Sequence, residues 1–270
     1  MGASRKKNKC YNEQMKSIYD IELSSAEGES NFLQQFKGKA VLLINTTVGC
    51  GNAGQMEPIQ WIQEKYAGED FSVVAIPTND YCGPEITKGR WSEGISCGLD
   101  SKKYGEEVYG VTFPFSEMIA SNPIEVPKES PWNGVGHGKN GLGQDFQPPH
   151  ELYQEVCAQT MAVRQKRAEL GLEDKKDYIS EWLNEHDGGL LMCCNFEKYL
   201  IDKDGFVVKH YACTTLNYDV ERTYKEDLAA QGIFATLNKA RTPEIFEEEY
   251  AVITGHIESL IAGEKSILNS

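Results

Sequence analysis

No stretch of this chain comes near the ~18 to 20 consecutive apolar residues that a membrane-spanning helix needs, so no membrane span is expected. It also lacks any C-x-x-C pair. The eight cysteines fall at 10, 50, 82, 97, 157, 193, 194 and 213, too sparse for a disulfide scaffold and wrongly spaced for a structural zinc site. No resident metal is therefore expected, and the cysteine usage points to a reducing compartment, the cytoplasm. Positive charge is short as well: 27 Lys and Arg face 41 Asp and Glu, a net charge of −14. Such a balance repels phosphate backbones and excludes nucleic acid as an expected partner. The N-terminal MGASRKKNKCYNEQ has a basic flank with no apolar segment behind it, and Lys6 stands where a myristoylation signal needs Ser or Thr. Residues 1–16 read as a disordered, solvated tail. The five histidines (137, 150, 186, 210, 256) lack ligand spacing and read as core or surface residues. The glycines of GVGHGKNGLGQD neither follow a strand nor open a helix, so no nucleotide cofactor is expected.

What is present is an ordinary globular composition, 40% hydrophobic and 10% aromatic over 270 residues, enough to bury roughly 70 to 75% of the unfolded surface. AVLLINT (40–46) and FSVVAIP (71–77) are short Val- and Ile-rich runs of the kind that form buried strands. Between them Ile59, Ile62 and Tyr66 recur at helical spacing behind Pro58. The unit reads as strand, crossover helix, parallel strand, with the usual right-handed connection. KYLIDKDGFVVKHYA, near residue 199, places two apolar runs around an Asp-Lys-Asp-Gly turn and predicts a hairpin. Residues 121–149 are Pro- and Gly-rich without periodicity and read as an excursion loop. From 150 to 169, Leu152, Val156, Val163 and Leu170 define one helical face that Gly171 can close, and a further amphipathic stretch runs through Ile179 and Leu183. A last helix is expected over 243–262.

The chemistry starts from Cys50, which follows the first strand and precedes the helix. In a parallel sheet ligands bind beyond the carboxyl ends of the strands. A thiol at a helix N-terminus has unpaired N–H groups and the helix dipole to stabilise its anion. The position suits an activated thiol, and locally it suits a buried inert one equally. Thr78, Asn79 and Asp80 should emerge at the same end of the sheet, and the hairpin's approach, MCCNFEKYL, could bring Cys193, Cys194 and Asn195 to that rim.

Four blocks, GKAVLLINTTVGCG, VVAIPTNDYCGPE, YGVTFPFSEMI and CCNFEKYLIDKDGFVVKHY, resemble in order and spacing the corresponding blocks of glutathione peroxidases and the related thioredoxin-dependent thiol peroxidases. The resemblance covers most of 17–120 and 190–214. It implies an α/β thioredoxin-like fold with a central mixed sheet flanked by helices. The expected organisation is a single domain over 17–270, with helical and loop insertions at about 121–189 and 216–241. It implies a peroxidase whose partners are a peroxide, as hydrogen peroxide or an organic hydroperoxide, and a reducing thiol, glutathione or thioredoxin. A homo-oligomer is among the open assembly states.

Carried over by resemblance, Cys50 takes the place of the peroxidatic Cys or selenocysteine, whose thiolate attacks a peroxide oxygen to give a sulfenic acid. The family surrounds that sulfur with Gln, Trp and Asn. Asn195 matches the Asn, whereas Asp80 falls where the Gln belongs and Cys194 where the Trp belongs. An ionised Asp80 offers no donor and places like charge near the thiolate; a protonated one could donate to the leaving oxygen. Counting through the family pattern, with one residue deleted before Pro77, Cys97 falls at the resolving cysteine, 47 residues after Cys50. Its attack on the sulfenic acid should require the surrounding helix to unwind. Cys194 and Cys82 are its rivals, and absence of an internal resolver is a further option. Two other functions stand beside the peroxidase: a diverged thiol or redox enzyme acting on a specific substrate, and a non-catalytic metal- or partner-binding module using Cys50, Cys194 and Asp80.

Overall fold

In the computed structural model the described residues are 15–47, 51–80, 94–121, 148–172, 195–211, 247 and 250–269. Four strands form one mixed sheet in the order β2-β1-β3-β4. β1 (Ala40–Thr46) and β2 (Phe71–Pro77) run parallel, Ala40 opposite Phe71 and Thr46 opposite Pro77. α1 (Met56–Lys65) joins them. β3 (Lys198–Ile201) lies antiparallel to β1, with Ile44 opposite Lys198, and turns back into β4 (Val207–Tyr211).

Every residue of β1 and β2 is buried because both sheet faces are covered, which is why these strands read as continuous apolar runs instead of alternating ones. The pleat divides them. Ala40, Leu42, Ile44, Val73 and Ala75 pack against Ile59 and Ile62 of α1 and against Ile253, Ile257 and Leu260 of the last helix, α4 (Ala251–Ile261). Val41, Leu43, Val74 and Ile76 face the other way, onto Ile18, Phe32 and Phe36 and onto Leu152, Tyr153 and Val156 of α3 (Glu151–Glu169). Between them in the chain, α2 (Gly98–Tyr109) precedes Val111, Phe113 and Phe115, which join the first face.

The hairpin forms where the sequence predicts it. Asp202 N bonds Phe206 O at 2.9 Å and Gly205 N bonds Asp202 O at 3.0 Å, while Asp202 Oδ1 accepts from the Asp204 and Phe206 amides. Gly205 is required twice over: its φ is +91°, and a Cβ there would overlap Ser17 Oγ, which donates to Asp204 O.

α3 occupies the expected span and buries Leu152, Val156 and Val163. His150 caps it, Nδ1 accepting from Leu152 N at 3.2 Å, and Gly171 at φ +68° ends it. Leu170, expected on the buried face, is instead 60% exposed, because the helix stops one residue earlier and the chain turns outward. Gln159 is fully buried although polar: Oε1 accepts from Val207 N at 2.8 Å and Nε2 donates to Lys16 O at 2.8 Å, stitching α3 to β4 and to the incoming chain. Of the helix expected over 243–262, 251–261 is observed, and most of the remainder lies outside the described residues. The body of the excursion loop, the stretch through Ile179 and Leu183, and 216–241 lie outside them too.

Candidate active site

β1 ends at a rim that three strands share. Thr78 N donates to Thr46 O at 2.8 Å, extending the β1–β2 pairing past Pro77. On the other side Phe196 N donates to Asn45 O at 2.8 Å, and Asn45 Oδ1 accepts from Glu197 N at 2.7 Å. Asn45 is thus a buried polar residue whose side chain locks β3 into register at the strand's exit. The chain resumes after the rim with a 3₁₀ turn, Gly51–Gln55, that leads into α1. Cys50 and Cys194 lie outside the described residues, as does the alternative resolver Cys82.

Asp80 follows the end of β2 as expected and is buried, 5% exposed. Its Oδ2 accepts from Ser121 N at 2.5 Å and from Ser121 Oγ at 3.2 Å, and Ser121 Oγ lies 3.1 Å from Thr78 Oγ1. Burial, reinforced by Asp80's charge, drives the neighbouring Tyr153 phenol far above its ordinary range. Tyr153 stays protonated and donates to Ile76 O at 3.1 Å. Asn79 reaches sideways, Nδ2 donating to Ile95 O at 3.5 Å.

That contact ties the rim to the segment bearing Cys97. The thiol is exposed and sits at the N-cap of α2 in extended backbone, φ −149°. The helix starts at the next residue, so Cys97 lies at its edge and not inside it. Gly98 packs so closely on Ser116 and Glu117 that a Cβ would overlap the Ser116 carbonyl. Asp100 holds the turn: its carboxylate accepts from Ser96 N at 2.9 Å and Ser96 Oγ at 2.8 Å, bonds that keep it below the usual carboxylate range.

Asn195 is 1% exposed, at the entrance to β3. Phe196 beside it is fully buried with φ +68°, a left-handed conformation that a bulky residue adopts only when its surroundings enforce it. Asn195 Oδ1 is buried without a hydrogen-bond partner, and so is Thr46 Oγ1 on the adjacent strand.

Sequence reasoning missed a polar cluster on the second sheet face, because its members are scattered over α3, β3 and β4. Arg164 Nη2 lies 2.8 Å from His210 Nδ1 and His210 Nε2 lies 2.9 Å from Glu197 Oε2. A guanidinium only donates, so Nδ1 accepts and the ring proton on Nε2 goes to the carboxylate. Tyr199 also donates to Glu197, at 3.2 Å, and its ring stacks on His210 at 4.9 Å. Cys157, buried beside them, has its thiol pushed up to about 12, first by burial and then by Glu197's charge. Among the described residues no group of three or more His, Cys, Asp or Glu is arranged to hold a metal ion, and no helix is long and apolar enough to cross a membrane.

A parallel β1–α1–β2 unit whose first strand pairs with an antiparallel hairpin, with helices on both faces, defines a thioredoxin-fold protein. Residues 18–126 match the glutathione peroxidase family model. The chain is 33% identical over 105 residues to "Glutathione peroxidase homolog BsaA" of Staphylococcus epidermidis, a match covering 39% of this chain and 61% of that protein. The protein of the same description from Staphylococcus aureus (strain MW2) is 26% identical over 210 residues, 77% of this chain and 96% of the relative. "Glutathione peroxidase 3" of Caenorhabditis elegans is 27% identical over 216 residues, 80% and 81% of the two chains. The crystal structure of T. cruzi GPX1 overlaps 84% of this chain and 100% of its own at 18% identity and a TM-score of 0.39. The fold assignment rests on strand order and the family match, not on that overlap.

Proposed function

We propose that this chain is a thiol-dependent peroxidase that reduces hydrogen peroxide or organic hydroperoxides with Cys50 as nucleophile and glutathione or thioredoxin as reductant. The observation that carries the reading is Asn195: the family's amide is present, buried, and joined through Phe196 N to the strand that leads five residues later into Cys50. The Cys50 thiolate attacks the terminal peroxide oxygen, an S–O bond forms as the O–O bond breaks, and sulfur gives two electrons to the peroxide. The leaving oxygen takes a proton from solvent. Asn195 holds the reacting atoms in place. Cys97, exposed where α2 begins, then attacks the sulfenic acid, and water leaves as the disulfide closes. Asp80 serves as an anchor for Ser121, its Oδ2 accepting from both Ser121 donors.

Hydroperoxide consumption, followed with thioredoxin or with glutathione as the recycling thiol, tests this. Cys50→Ser abolishes turnover with both reductants, and Cys97→Ser abolishes only the thioredoxin-supported reaction. Full turnover by Cys50→Ser contradicts the proposal.

Asp80's turn toward Ser121 favours a second reading. With the family's donors gone from 80 and 194, the pocket serves another thiol or redox reaction on a specific substrate. A peroxide rate no faster than that of free cysteine, together with a copurifying small molecule, would favour it.

A further inference from the structure

α3 is capped by a histidine. The usual N-cap residues are Ser, Thr, Asp and Asn, whose side-chain oxygens accept an orphan helix amide throughout the neutral pH range. His150 does this with a ring nitrogen, Nδ1 accepting from Leu152 N at 3.2 Å. That requires a neutral imidazole carrying its single proton on Nε2. A second proton, on Nδ1, turns the acceptor into a donor that faces another donor, and it sets a positive charge at the positive end of the helix dipole. The cap therefore exists only in the neutral ring. Histidine is also the side chain whose ordinary titration falls between about pH 5 and pH 8.

The same residue fastens more than its own helix. His150 N donates to Ala120 O at 2.9 Å, and His150 O accepts from Tyr153 N at 2.9 Å and Gln154 N at 3.2 Å. Leu152 and Tyr153 are buried on the second sheet face, and the Tyr153 hydroxyl reaches Ile76 O near the end of β2. The first turn of α3 thus carries the attachment of this helix to the carboxyl end of β2.

We propose that His150 is a pH-operated clasp, which when neutral holds the first turn of α3 against the sheet and when protonated lets that turn fray while the rest of the helix stays seated. The rest is held independently, by burial of Val156 and Val163 and by the Gln159 bonds to Val207 N and Lys16 O. The groups facing the ring oppose one another. Burial holds its pKa below the ordinary 6.5, while the charges of Glu117, from the segment between α2 and α3, and Glu151, on α3 itself, pull it up. Lys16 of the incoming chain pairs with Glu151. Because the folded pKa lies below the unfolded one, the ring's contribution to stability is complete above 6.5 and is lost as pH falls through the folded value. The clasp stands independently of the peroxidase reading.

Amide hydrogen exchange, resolved residue by residue by NMR and corrected for the intrinsic rate at each pH, tests it on the full-length protein and on its His150→Asn and His150→Ala variants. From about pH 8 to about pH 5, wild-type protection at Leu152, Tyr153 and Gln154 should fall about threefold to thirtyfold, the range that loss of an N-cap covers. The midpoint of that fall should coincide with the His150 ring's own NMR titration, and protection at Val163 should not change. His150→Asn, a cap that does not titrate here, should stay protected throughout, and His150→Ala should be weakly protected throughout. Should His150→Ala not fold, the wild type and His150→Asn decide alone. Constant protection in the wild type overturns the clasp. An equal fall in His150→Asn overturns it in favour of another titrating group, and a fall shared by Val163 overturns it in favour of general acid unfolding.

Discussion

At the scale of single residues, Asp80 is the position that the resemblance sets where the family has a glutamine. Sequence alone left its protonation open. The two donors from Ser121 give the carboxylate a structural task. Asp80→Ala strands the Ser121 amide in a buried setting and should cost about 1–3 kcal/mol in urea unfolding, whereas Asp80→Asn keeps an acceptor and should cost less. The two described cysteines should behave oppositely. Burial holds the Cys157 thiol at about 12 against an ordinary 9.0, so iodoacetamide at neutral pH should modify exposed Cys97 in the native protein and spare Cys157. Folding favours the protonated form of Cys157. Its contribution to stability is therefore complete below pH 9 and is lost as pH rises toward about 12. Native Cys157 labelling at pH 7 that matches Cys97 would contradict this burial.

At the scale of elements, the β3–β4 hairpin was the most legible feature, because its turn chemistry is local: Asp202 accepts two turn amides and Gly205 supplies the positive φ. Gly205→Ala should lose at least about 1–2 kcal/mol for the left-handed backbone alone, with the overlap on Ser17 added. Equilibrium unfolding measures it, and an unchanged midpoint would mean that the turn does not need glycine. β1, α1 and β2 were legible for the same reason, through apolar runs and helical spacing. The end of α3 was legible in Gly171, whereas Leu170 was not placed correctly, since it continues the apolar period although the helix stops at Glu169. Gln159 and the Arg164–His210–Glu197 cluster escaped notice because nothing in a polar residue's sequence position says that its partners lie 46 or 13 residues away.

At the scale of the whole molecule, the sheet brings together residues far apart in the chain, Thr78 and Asp80 after β2 with Ser121, 41 residues beyond Asp80. What the family blocks could not anticipate is orientation. Asp80 turns toward Ser121, and two polar atoms, on Thr46 and Asn195, are left without partners. Both are properties of packing and follow from no motif. The account's central claim, that the sulfur following β1 is a peroxide-reactive thiolate, is tested most directly by adding one equivalent of hydrogen peroxide to the reduced protein in the presence of dimedone and mapping the peptides by mass. The account predicts a dimedone adduct on Cys50, replaced by a Cys50–Cys97 disulfide when dimedone is omitted. An unmodified Cys50 after peroxide has been consumed elsewhere, or not at all, would contradict it.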